Sequence, residues 1–358
     1  MKILFVGPGN NHKYGGGFYY SFNRRLINGL IRYGHFVYPY SDRDTADYAM
    51  GLRMLGRKLA NERLFTVARE LQPDILVLLL SYLITPDTVR RIRAAVPGVK
   101  VAGICIDDIG HERPAGQFRY LLQEADAGFA TTGGELLRGF ADRVPVAFIP
   151  NPVDLSIDAG RAFAEPRHDY DLFFAGHQGL HDPRWQLIAD LRQALPERIR
   201  VGLFGNKTGT PLRGASYVEA LARTRVGLNL NRRDGNLYAS DRMGQFLGNG
   251  VLLATPRASG YDAVFDDGEM LFFDGAGDLA QKITAALGPG EPWRDMARAG
   301  REKAIATMNE TLVARFICDF TLTGSGGTYW AFADHAFAAG ASGSDKRAAQ
   351  APTVTVSA

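Results

Sequence analysis

A chain of 358 residues has room for about two domains of ordinary size. Hydrophobic residues at 46% and charged residues at 22% fit a soluble globular protein, and a net charge of +3 gives no basis for general nucleic-acid binding. Two distant cysteines, Cys105 and Cys318, exclude a disulfide framework and a cysteine metal site, and suit a reducing cytoplasm.

The stretch KILFVG (2–7) is too short for a signal-peptide core and reads as a first strand. A Gly-rich loop follows, then a helix with Phe22, Leu26, Ile27 and Leu30 at helical spacing and Gly34 as its stop. HFVYPY is the next strand, and 50–72 reads as one amphipathic helix. DILVLLL (74–80) is a continuous apolar run, as in a buried parallel strand. The run ILVLLLSYLI (75–84) is far short of a membrane span. TPDTVRRIRAAVPG is a helix with Thr85 as N-cap and Pro86 at its first position. KVAGICIDD is a strand ending in two aspartates, and ADAGFATT (125–132) and VAFIPNPVD (146–154) close the first half.

The pattern then restarts. YDLFFAG (170–176) is a strand, followed by a helix with Asp182 as N-cap, Pro183 at its first position and Arg184 in its first turn. RVGLFGN (200–206) and VGLNLN (226–231) are strands around the helix SYVEALARTR. SDRMGQFLGNG gives a helix with Gly250 as left-handed cap, and VLLATP returns to the sheet before two late helices. Such alternation predicts α/β architecture with parallel sheets. Two blocks of it, split near 155–168, predict two doubly wound, Rossmann-like domains over 1–155 and 168–322. The small, polar, low-complexity tail 341–358 reads as disordered.

Ligands of open α/β sheets bind beyond the carboxyl ends of the strands, so strand-end residues are the candidates. After the first strand a dinucleotide fingerprint fails, because His12 stands where its third glycine belongs. Gly15, Gly16 and Gly17 remain, at the mouth of a helix, where backbone amides approach a ligand closely. Asp107 and Asp108 are adjacent on a strand and point to opposite faces, so they are not an acid–base pair. One is a candidate base or sugar ligand and the other a turn cap, without distinction between them.

In the second half, His177 follows a strand end, and Lys207 is placed to meet a phosphate as a point charge. Asn229 and Asn231 share one face, and Arg232 and Arg233 follow. Ser240 reads as an N-cap before Asp241 and Arg242. A cation in the first turn opposes the helix dipole, which a bound diphosphate would resolve; a salt-bridge network through Asp234 and Asp241 is the alternative. Gln245 lies off the buried stripe of Met243, Phe246 and Leu247, within reach of a ligand.

RTRVGLNLNRRDGN, SDRMGQFLGNGVLLATPRASGYDAVFDDGEMLFFDG and the following MARAGREKAIATMNETLVARF together resemble the carboxyl domain of group-1-type glycosyltransferases, nearest the CgeB-like branch. The resemblance covers about 170–320; the first half fits through its strand pattern, its DD and IPNPVD. It implies a GT-B architecture, two domains facing a cleft with the nucleotide-sugar donor on the second and the acceptor on the first. It further implies that GTYWAFADHAFAA, within 323–340, is a final helix that crosses back to the first domain.

The implied activity is metal-independent transfer of a sugar, hexosyltransferase-type, from a nucleotide diphosphate donor to a hydroxyl of a glycan, lipid-linked or protein acceptor, as in polysaccharide biosynthesis. No cofactor besides the donor substrate is implied, and no nucleic-acid partner. A cytoplasmic enzyme without an integral membrane segment is expected, with peripheral membrane association left open. Diphosphate contacts fall to Arg242, the helix start at Ser240 and Asp241, Lys207 and Arg232. The family's two glutamates, eight positions apart, fall on Leu237 and Gln245, of which only Gln245 can bond a ribose. That departure motivates the alternative of a non-catalytic nucleotide- or sugar-binding protein on the same scaffold.

Overall fold

A computed structural model describes residues 1–341 apart from 10, 51–52, 177–181, 183, 206–210 and 239. The expected disordered tail therefore lies outside the described residues, Ala341 excepted. In chain order the first half holds β1 (Lys2–Val6), α1 (Asn11–Tyr14), α2 (Phe22–Arg32), β2 (Phe36–Tyr40), α3 (Asp42–Met50), α4 (Arg53–Leu71), β3 (Ile75–Leu79) and α5 (Pro86–Ala95). It continues with β4 (Lys100–Cys105), α6 (Glu112–Leu122), β5 (Ala127–Ala130), α7 (Gly134–Arg138) and β6 (Val146–Phe148). The second half holds β7 (Tyr170–Ala175), α8 (Arg184–Ala194), β8 (Val201–Phe204), α9 (Ala215–Ala222), β9 (Thr224–Leu228), α10 (Arg242–Gly248), β10 (Leu252–Pro256), β11 (Leu271–Phe273), α11 (Ala276–Ala286) and α12 (Trp293–Met308). Then come α13 (Glu310–Thr323) and the two-residue β12 (Ala336–Phe337).

The first sheet has the order β12-β6-β5-β4-β3-β1-β2 and the second β11-β10-β9-β7-β8. Every pairing is parallel except β12 against β6. All five residues of β3 are buried, as its unbroken apolar run requires of a strand covered on both faces. Phe22, Leu26, Ile27 and Leu30 form the buried face of α2. Thr85 caps α5, its hydroxyl accepting from the Thr88 amide at 3.1 Å with Pro86 at the first helical position. The expectation of an α/β protein with parallel sheets in two Rossmann-like halves holds.

The helix expected over 50–72 is α4, and a separate helix, α3, precedes it and packs on it; a Cβ on Gly56 would come within 2.1 Å of the Ala46 carbonyl oxygen, so close approach depends on that glycine. One expectation is corrected: 327–339 is not a helix but irregular chain, a 3-10 turn at Ala333–His335 and β12. Gly324, left-handed at φ 72°, ends α13, and Trp330 then stacks on Phe316 with ring centroids 4.0 Å apart. Aromatic burial holds this segment in an irregular path. The segment does lie on the first half, where β12 pairs with β6, but the return begins earlier, with α13, which starts at 310, inside the span 168–322 expected for the second domain. Its Phe316 and Phe320 pack edge-on against Phe129 of β5.

Candidate functional site

The carboxyl ends of both sheets open toward one cleft. At its centre α10 begins with Arg242, 8% exposed. Its Nη1 donates to the Ala175 carbonyl at 2.9 Å and its Nη2 to the Leu230 carbonyl at 2.8 Å. The guanidinium thus spans the ends of β7 and β9, 5.1 Å above the Phe174 ring, with Nε left without a partner. Glycine makes the space: a Cβ on Gly176 would stand 2.7 Å from Nη1 of Arg242. Burial pulls the Arg242 pKa down, only partly offset by Asp241. An almost fully enclosed cation with no carboxylate in ion-pair contact is expensive by itself and attracts an anion.

Arg184 joins it. Its Nη1 reaches the same Leu230 carbonyl at 3.3 Å, while its Nε donates to Asp182 at 2.8 Å. Arg232, more exposed, stands 3.6 Å from Asp182. A cavity of about 400 Å³ opens here, lined by Arg184, Arg232, Arg242, Asn231, Ser240 and Tyr238 from the second half and by Asp107, Asp108 and His111 from the first. Asn231 gives its amide to the Tyr238 carbonyl at 2.8 Å and leaves its own Oδ1 unpaired.

On the other side of Arg242 lies a cavity of about 270 Å³ walled by Phe18, Tyr20, Phe204, Tyr217, Asp241 and Gln245. Gln245 is 3% exposed and fixed at both ends of its amide: Tyr217 donates to Oε1 at 2.7 Å and Nε2 donates to Asp241 at 3.0 Å. The carboxylate of Asp241 is thereby held at the cavity wall one helical turn before Gln245.

The two aspartates after β4 part company. Asp108 is 6% exposed and accepts from Arg233 Nη2 at 2.8 Å, from Arg233 Nε at 3.3 Å and from the Gly110 amide at 2.9 Å, with His111 Nε2 at 3.5 Å. It staples the two halves together, with three hydrogen bonds accepted by its carboxylate. Asp107 faces the water of the cleft, yet the surrounding walls raise its pKa, opposed by the charges of Arg43 and Arg113.

Other expectations are corrected by position. The N-cap of α10 is Asp241, and the Ser240 hydroxyl lies 3.3 Å from Asn229 Oδ1. Arg233 leaves the arginine cluster for Asp108, and Arg184 takes its place. Gly15, Gly16 and Gly17 do not open α2; they form a turn between α1 and Phe18. Gly15 and Gly16 have φ of 54° and 84° with open space around them, and Gly17 accepts from the Gly214 amide across the cleft at 3.1 Å. His177 and Lys207 lie outside the described residues. Tyr20, Tyr217 and Tyr238 escaped the sequence reading, having no spacing that separates them from core aromatics.

Among the described residues no helix is long and apolar enough to cross a membrane. Nor does any group of three or more His, Cys, Asp or Glu there stand ready to hold a metal ion.

Residues 184–319 match the family described as glycosyl transferase-like. Comparison with curated proteins gives no match. Among solved structures, an alpha-glucosyltransferase in complex with UDP and a 13-mer DNA containing a central A:G mismatch superposes with a TM-score of 0.59 at 12% identity, covering 90% of this chain and 99% of the other. Sucrose-phosphate synthase from Thermosynechococcus elongatus gives 0.59 at 12%, covering 89% and 98%. HepE from Anabaena, in complex with UDP and glucose, gives 0.54 at 12%, covering 90% and 100%. The two Rossmann-like halves have the GT-B arrangement of these structures.

Proposed function

We propose that this cleft moves a sugar from a nucleoside diphosphate sugar to an acceptor hydroxyl. The observation that carries the reading is Arg242: a buried guanidinium without a carboxylate in ion-pair contact, held on two strand-end carbonyls between two cavities. A diphosphate seated there gains charge as its bond to the anomeric carbon breaks, and fixed positive groups are worth most at that moment. Arg184 and Arg232 stand beside it to share that charge. The nucleoside fits the aromatic cavity of Tyr20, Phe204 and Tyr217.

Asp241 there supplies the carboxylate for the ribose hydroxyls that the family's glutamate would give, and Gln245 orients it. On the first half, Asp107 receives the proton of the attacking hydroxyl. A pKa raised by its walls suits a base better than an ordinary surface aspartate.

The test is UDP affinity by calorimetry and UDP release from a panel of UDP-sugars. Arg242→Lys keeps the charge and loses the planar fork. Its UDP affinity is expected to fall about 10- to 100-fold, the worth of a hydrogen bond to a charged group, about 1.5–3 kcal/mol. Unchanged affinity in a folded variant removes the diphosphate assignment. UDP binding without release from any UDP-sugar would favour the non-catalytic reading, which Leu237 in place of the first glutamate motivates.

A further inference from the structure

Resting on the transferase reading above, we infer that the acceptor is an anionic sugar or sugar carrier, one bearing a phosphate or carboxylate. A cavity of about 530 Å³ lies wholly within the first half, lined by Arg43, Tyr82, Leu83, Asp107, Arg113 and Gln117. Asp107 is also in the wall of the cavity at Arg242, so the two spaces adjoin at that carboxylate. The acceptor space therefore has a polarity. Its donor-side end is the carboxylate of Asp107, and its remaining charged lining is cationic.

Among the described residues, neither cation has a carboxylate in ion-pair contact. Arg43 gives one Nη2 hydrogen bond to the Leu80 carbonyl at 3.3 Å. Arg113 is exposed at the start of α6. A third arginine stands behind the wall: Arg57 donates to the Leu83 carbonyl at 3.0 Å and to the Tyr120 hydroxyl at 3.2 Å. Three arginines on α5 of this half are matched to acids instead, Arg91 with Glu62 at 2.7 Å, Arg90 with Glu124 at 2.7 Å and Arg93 with Asp126 at 2.6 Å.

The charges of Arg43 and Arg113 both reach Asp107 and hold its proton affinity down against burial. An anion seated on them would cancel that effect and leave Asp107 a stronger base once the acceptor is in place. A neutral hexose would meet the same walls with two guanidinium charges unused.

The test uses the full chain. UDP is titrated first; failure to bind UDP is a failure of the transferase reading and is read before anything else. The UDP-saturated protein is then titrated with methyl glucoside, glucose 6-phosphate, glucuronate and geranyl phosphate. At least one charged probe is expected to bind ten or more times tighter than methyl glucoside, with the advantage shrinking at high salt. Tighter binding of geranyl phosphate than of glucose 6-phosphate assigns a lipid-linked acceptor, and the reverse order a soluble sugar phosphate.

Arg43→Gln with Arg113→Gln is expected to erase the preference for charge. Arg113→Gln alone, at an exposed position, is expected to reduce it should the double variant fail to fold. Equal affinities for charged and neutral probes, no binding of the charged ones, or a preference that survives both substitutions overturns the inference while leaving UDP binding as evidence for the transferase.

Discussion

Asp107 and Asp108 are neighbours in sequence and differ in everything that decides chemistry. Asp108 is spent on Arg233, a residue 125 positions away, whereas Asp107 keeps its carboxylate in the cleft. Sequence alone placed both at a strand end and could go no further, because the choice depends on which loop of the second half crosses the cleft. The placement of Arg242 at the cleft was legible, since a first-turn cation is a local signal; the burial of Gln245 was not, because every residue of α10 is buried and its amide is taken up by Tyr217 and Asp241. The exchange of Arg233 for Arg184 was not, for the same long-range reason. The division of labour is testable by kinetics. Asp107→Asn is expected to lower kcat about 10²- to 10⁴-fold, the usual worth of a general base, with little change in UDP affinity. Asp108→Ala and Arg233→Ala are expected to give matching, milder losses that do not add in the double variant. Additive losses, or an Asp108→Ala enzyme as dead as Asp107→Asn, would reverse the two roles.

Elements were read most reliably where burial leaves a one-sided record. β3 is a continuous apolar run and β10 one interrupted only by Thr255, and every residue of both is buried. Reading fared worse where tertiary contacts decide, as at 327–339, where the resemblance implied a helix and the aromatic residues instead pack around Phe316 and Phe148. β7 shows how one charged residue ties strands of the second sheet. Asp171 accepts from the Arg200 amide at 2.9 Å and from its Nε at 3.0 Å, and Arg225 of β9 stands 3.5 Å away. Burial would raise the Asp171 pKa, but the bonds from Arg200 and the charge of Arg225 outweigh it, and the net shift is downward. A carboxyl depressed in the folded state stabilises above its unfolded pKa of about 4, and that contribution fades as pH falls through the lower folded value. Asp171→Asn is therefore expected to melt well below the parent at pH 7 and to approach it as pH drops under about 4. A melting difference that stays constant across this range would show that the charge of Asp171 does not carry the effect.

At the scale of the molecule the two halves are joined by more than a linker. The chain crosses at 149–162 and α13 crosses back, and α2 grips both passages. Arg32 of α2 bonds Asp154 at 2.7 Å and Glu310 at 2.6 Å. Arg25 pairs with Asp158, both almost fully buried, and Asp158 in turn accepts from Asn249, the C-cap of α10, at 3.1 Å. One buried ion pair thus links a helix of the first half to the far end of the helix that presents Arg242. Breaking a buried pair from one side leaves a lone charge, which costs about 3–5 kcal/mol. Arg25→Met is accordingly expected to lower stability by that amount in urea unfolding. Because Asp158 touches both halves, the loss is expected in a single transition rather than in one of two. Asp158→Asn, which removes the charge but keeps one oxygen to accept a hydrogen bond, is expected to restore part of the loss when combined with Arg25→Met. Two separated transitions, with only the first-half transition shifted, would mean that the halves unfold independently and that the pair anchors α2 alone.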